Sequence, residues 1–125
     1  MSNFDFSRID AAQNRGGVQH QPVLTYEHRT ADEKTRNLAY TVAPQIRDNL
    51  INQGINNPRV HISAQTDWGT GNDSRLVITA SADGQSIIGS DKVDTNSIRN
   101  ALIDALPVGA SVTIGNGNII AVWPK

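Results

Sequence analysis

Apolar residues recur along this chain at two spacings. From Arg59 to Thr66, Val60, Ile62 and Ala64 alternate with Arg59, His61, Ser63 and Gln65, and Leu76–Ser81 alternates in the same way. A period of two belongs to a strand with one buried face, so the apolar set is expected to point inward and its polar neighbours outward. Upstream the spacing is four. Leu38, Val42, Ile46 and Leu50, with Ala39 and Ala43 alongside, form the stripe of an amphipathic helix. Ile98, Ala101, Leu102 and Ala105 repeat that stripe in a second, shorter helix.

The residues between these runs place their ends. Thr30-Ala31-Asp32-Glu33 matches a capping box, with Thr30 accepting from the Glu33 backbone and the Glu33 carboxylate reaching back. Gly54 terminates the first helix. Pro44 inside it predicts a kink, or two short helices with Pro44 opening the second. Asp94 or Thr95 caps the second helix, which Pro107 and Gly109 end. Pro22–His28 reads as a first strand, with Val23 and Thr25 on one face and Leu24 and Tyr26 on the other. Asp83-Gly84 predicts a type I′ hairpin between residues 76–82 and 85–90. Gly115-Asn116-Gly117-Asn118 turns a final hairpin between Val112–Ile114 and Ile119–Val122. The order β-α-β-β-β-α-β-β, with hairpins joining most neighbours, predicts an α+β fold: an antiparallel sheet with two helices packed on one face. Residues 1–21 develop no period and are expected to form a flexible arm before a single domain at 22–125.

Composition narrows function by exclusion. Eleven basic and twelve acidic side chains leave a formal charge of -1, which supplies no general field for nucleic acid or an anionic membrane. With no cysteine there are no disulfides, thiolate nucleophiles or cysteine-bearing zinc sites. No apolar run approaches the ~20 residues of a membrane span, and no signal-peptide pattern opens the chain, so a soluble, cytoplasmic protein is expected. Twelve Asn and seven Gln favour turns and polar surfaces and carry no titratable chemistry.

The candidate chemistry centres on the loop Asp67–Arg75, which brings an aromatic, two carboxylates, an arginine and two glycines between two strands. Backbone N–H groups around Gly69 and Gly71 with the Arg75 guanidinium could receive an anion, although Asp67 and Asp73 oppose it and the phosphate-loop pattern is absent. Asp67, Asn72 and Asp73 lack the spacing of an EF-hand. His20, His28 and His61 fall in no metal-ligand spacing, and no serine lies in a nucleophile elbow. Trp68-Gly69-Thr70-Gly71 is similar over four residues to the last-strand entry of immunoglobulin variable domains, but two helices and the missing cysteines exclude that fold. The α-β-β-β-α stretch from Thr30 to Leu106 has the element order of a double-stranded RNA-binding domain. Its second helix begins Lys92-Val93-Asp94-Thr95-Asn96 without that domain's lysine cluster, so nucleic acid is not expected. Ile119–Trp123 is apolar on both faces, which fits either a buried strand or an interface with Trp123 as anchor.

These features favour a non-catalytic binding, inhibitor or accessory protein, of a kind found in phage or bacterial conflict. It would recognise a protein partner, as a homo-oligomer, through the 67–75 loop and the N-terminal arm. Trp68, Asp73, Arg75, Arg59 and His61 are the candidate ligand-binding residues; Phe4, Phe6 and Trp123 are the candidate partner contacts. No cofactor or metal is implied. The alternative is a protein binding a small ligand or nucleotide, with or without catalysis, in a polar pocket beside the same loop.

Overall fold

The computed structural model describes residues 23–67 and 73–124. Its elements are β1 (Leu24–Glu27), α1 (Glu33–Asn52), β2 (Arg59–Thr66), β3 (Asp73–Ala82), β4 (Gln85–Ser86), α2 (Thr95–Ala105), β5 (Ser111–Gly115) and β6 (Asn118–Pro124). The fold is α+β in the expected order. The sheet runs β1-β2-β3-β6-β5, with β4 beside the end of β3. Every pairing among the described residues is antiparallel except the first: β1 and β2 run parallel, Leu24 opposite Val60 and Tyr26 opposite Ile62. The sheet is therefore mixed. Its one parallel pair arises because α1 carries the chain back to the end of the sheet where β1 began, which a hairpin cannot do.

Both helices lie on one face. Val60, Ile62 and Ala64 of β2, Leu76, Ile78 and Ala80 of β3, and Ile119, Ala121 and Trp123 of β6 are buried there. Against them pack Ala39, Val42, Ala43, Ile46 and Leu50 of α1 and Ile98 and Leu102 of α2. Side chains such as Leu50, Ile62 and Leu76 are 0 % exposed, and each contributes about 1.5–3 kcal/mol by leaving water.

One local expectation changes and one open alternative, two short helices meeting at Pro44, is excluded. The first helix is capped by Asp32, whose carboxylate accepts from Thr35 N–H at 2.9 Å, rather than by Thr30. Thr30 instead gives its carbonyl to Thr66 N–H. The helix also runs through Pro44 as one element. At its other end Gly54 N–H donates to the Ile51 carbonyl and Ile55 N–H to the Leu50 carbonyl, the paired closure that satisfies the last turn. Gln53 ties this end to α2: its Oε1 accepts from Asp94 N–H at 2.6 Å while Asp94 caps α2 by accepting from Ser97 N–H.

The β3–β4 turn has Asp83 at φ 53° and Gly84 at φ 76°, as a type I′ turn requires. Yet β4 stops at Ser86 rather than reaching Ser90. β6 already occupies that edge of β3 as far as Ile78, so β4 finds open edge only beyond it. Ile87 and Ile88 then turn into the core.

Candidate functional site

Alternation that buries one set of side chains presents the other on the opposite face, where no helix of the described residues lies. Across the strands this face carries rows read from the register. Ser111, Val122, Arg75 and Gln65 form one; Thr113, Ile120, Val77, Ser63 and Glu27 form the next; Thr79, His61 and Thr25 follow. Val77, Ile120 and Val122 are half-buried by their neighbours, so a short apolar strip runs down the middle with polar groups on both sides.

At one end of this face sit the two sides of the 67–75 loop. Asp67 N–H donates to the Asp73 carbonyl at 2.8 Å, and Arg75 Nη2 donates to Gln65 Oε1 at 2.9 Å. A small hollow of about 90 Å³ lies between Gln65, Asp67, Asp73, Arg75 and Val122. Beneath it, on the helix side, three buried hydroxyls connect the loop base to α1. Thr66 Oγ1 accepts from Asp32 N–H and donates to Thr35 Oγ1, which donates to Ser74 Oγ. Thr66 and Ser74 face each other across β2 and β3, so the network closes the loop where it leaves the sheet.

The other end holds a larger concavity of about 610 Å³, lined by Thr25, Arg59, His61, Thr79, Ser81, Ser86, Asn116 and Asn118 among others. Its wall is built where two hairpins meet: Gly117 lies so near β4 that a Cβ there would be 3.1 Å from Ser86 Oγ. Thr25 Oγ1 is hydrogen-bonded to His61 Nδ1 at 2.7 Å, and Glu27 stands 3.9 Å from His61 Nε2. That orients the imidazole and leaves its other edge toward a carboxylate.

The structure thus divides the predicted ligand set. Arg59 and His61 line the large concavity, whereas Asp73 and Arg75 belong to the loop end; six positions of β2 separate Arg59 from Gln65, about 20 Å at ~3.3 Å per residue. Trp68 lies outside the described residues, as do Phe4 and Phe6. Trp123 is 4 % exposed on the helix side, where with Leu38, Leu106 and Pro107 it floors a groove of about 420 Å³. Although β1 and β2 pair, His28 and His61 stay apart, because His28 turns to the helix side and is hydrogen-bonded to Tyr40 at 2.6 Å.

Sequence reasoning missed Ser86, Asn116 and Asn118, which carry only turn signals locally and reach the site through hairpin register. Alternation does signal Thr79 and Ser81, as the outward residues of β3. Among the described residues no three His, Asp or Glu side chains gather to hold a metal ion. No helix among them is long and apolar enough to cross a membrane. The phenol of Tyr26 is held above its ordinary value of 10.0, first by burial and then by Tyr40, with Arg47 opposing. It stays protonated at neutral pH and sits on the helix side, away from the concavity. Comparison with protein-family models, with curated proteins and with solved structures finds no match.

Proposed function

We propose that this protein acts by binding rather than catalysis, and that it recognises a protein partner through the uncovered sheet face and the 67–75 loop at its end. One observation carries the reading: helices cover one face of the sheet and leave the other to organised, mixed side chains. Five strands ~4.8 Å apart and four to ten residues long offer roughly 540 Å² of surface, a large share of the ~800 Å² that each partner of a stable complex buries. The Val77–Ile120–Val122 strip with Thr, Ser, Gln and Arg around it has the apolar centre and polar rim of such surfaces. The arm, with Phe4 and Phe6, would extend the contact, and Trp68 is the proposed aromatic anchor of the loop.

The test is affinity capture from the native host with the tagged full chain and with two single variants, Ile120→Arg on the uncovered face and Ile103→Arg on the outside of α2. A partner recovered by the parent and by Ile103→Arg, but lost with Ile120→Arg, supports the reading. Equal recovery with Ile120→Arg sinks it.

A second reading is favoured by the large concavity, whose volume falls within the ~300–1,000 Å³ of ordinary ligand pockets. The Arg59 guanidinium has no hydrogen-bond partner among the described residues, and hydroxyl and amide groups surround it. This arrangement suits a small anionic or polyhydroxylated ligand. A saturable rise in Tm with one member of a panel of sugars, nucleotides and small anions, lost in Arg59→Ala, would select it over the partner reading.

A further inference from the structure

The two edges of the sheet differ. Val60 N–H donates to the Val23 carbonyl at 2.7 Å, so Val23, Thr25 and Glu27 direct their backbone groups at β2. Strand alternation then turns the N–H and C=O groups of Leu24 and Tyr26 outward, where no described residue meets them. At the far edge, Gly115 and Asn118 flank a two-residue turn, so alternation points the Val112 carbonyl outward. There Arg99 of α2 donates its Nε to that carbonyl at 3.3 Å, and a charged side chain occupies the edge. One edge is blocked in a way that discourages pairing; among the described residues the other is open.

The open edge is also where exposed apolar surface gathers. Of the five large hydrophobic residues that stay exposed among the described residues, Val23, Tyr40 and Ile51 lie on this side. Tyr40 packs edge-on against Tyr26 with ring centroids 4.8 Å apart. Pro44, Arg47 and Ile51 follow Tyr40 at helical spacing, within about 40° of it around α1. Tyr26 packs against Tyr40 and feels the charge of Arg47, so the middle of this stripe stands near β1.

We propose that this side is the interface between two copies of the chain, joined by antiparallel pairing of β1 with β1 about a two-fold axis at Thr25. The register is self-complementary. Leu24 of each copy exchanges two hydrogen bonds with Tyr26 of the other, Thr25 faces its own counterpart, and Glu27 falls opposite Val23, so no like charges meet. The same axis brings the two α1 helices about 10–14 Å apart, a gap that Tyr40, Arg47 and Ile51 are long enough to fill. Tyr40 of one copy then stands near Arg47 of the other, where the cation can lie on the ring. A side one sheet and one helix deep, about 20 Å by 25 Å, buries about 1,000 Å² in total, the lower end for a specific interface, so the dimer is expected to be micromolar. The inference uses the sheet edge and α1 alone and does not depend on what the uncovered face binds.

Because the chain has no cysteine, the register can be read directly. Non-hydrogen-bonded partners have Cα atoms about 4.5 Å apart, within disulfide reach. Thr25→Cys in the full chain is expected to form a disulfide-linked dimer under mild oxidation, and Thr79→Cys, in the middle of the same sheet, is not. Sedimentation equilibrium from about 1 to 500 μM should show the parent passing from 13.5 kDa to twice that mass. Tyr40→Glu should weaken association at least about tenfold, with Ile103→Glu unchanged. A parent monomeric throughout this range overturns the proposal, as does a dimer that Tyr40→Glu leaves intact or equal cross-linking at residues 25 and 79. A parent that dimerises only after residues 1–22 are deleted also overturns it, since the chain's own arm would then hold the edge.

Discussion

Thr66→Val tests whether the buried hydroxyl chain holds the loop base to α1. Valine keeps the shape of threonine and removes only the polar atom, so the packing around a side chain 2 % exposed changes little. The loss is electrostatic. Asp32 N–H, now 2.9 Å from Thr66 Oγ1, loses its acceptor, and Thr35 Oγ1 loses the donor that Thr66 supplies at 3.3 Å. Leaving buried polar groups unpaired costs about 1–3 kcal/mol, against a small gain from a more apolar side chain. For a folded region of this size that is a fall in Tm of roughly 5–15 °C, and a lower urea midpoint with the slope unchanged. Thr66→Ser is the control. It keeps the hydroxyl and drops one methyl group, at about 1 kcal/mol. Thr35→Val combined with Thr66→Val should cost less than the two single changes together, because the second removes a group the first has already stranded. If Thr66→Val is as stable as Thr66→Ser or more so, the hydroxyl chain adds nothing and the loop base is held by packing.

Two further outcomes follow from the geometry. Since the Tyr26 phenol is raised in the folded protein, the stabilisation from keeping it neutral is present below the unfolded value of 10.0 and is lost as pH climbs through the folded value. The parent Tm should therefore drop more steeply than that of Tyr26→Phe between about pH 9 and pH 11, and superimposable profiles would show that burial of the phenol is not felt. Gly117 has φ 79° and faces Ser86 Oγ, so Gly117→Ala should destabilise by about 1–2 kcal/mol in thermal melts; an unchanged Tm would mean the two hairpins are free to separate.

What was legible in the sequence depended on range. While in α2 Ile98 and Leu102 are buried and Ala101 is exposed, the inward set of β2, the stripe of α1, and the Asp83-Gly84 and Asn116-Gly117 turns each depend on neighbours within a few positions and stand as read. The first cap did not. Thr30-x-x-Glu33 and Asp32-x-x-Thr35 are both plausible local patterns, and Thr66, thirty-four positions away, supports the second by accepting the Asp32 N–H. The truncation of β4 and the parallel β1–β2 pair are likewise decided by which strand already occupies an edge. The candidate site shows the same limit. Arg59 and His61 were identifiable as outward residues, but their separation from Arg75, and their company with Ser86 and Asn116, depend on the pairing of strands distant in sequence.

The closure beneath residues 67–73 has a consequence for what this position can carry. Its two ends are joined by the Asp67–Asp73 backbone bond and by the Thr66–Thr35–Ser74 hydroxyls, so described residues on either side of it already hold β2 and β3 together. Lengthening such a connection costs only about 0.6 kcal/mol for each doubling. The segment is therefore a natural insertion point, where a foreign peptide or a longer recognition loop could be exchanged while the scaffold keeps its stability.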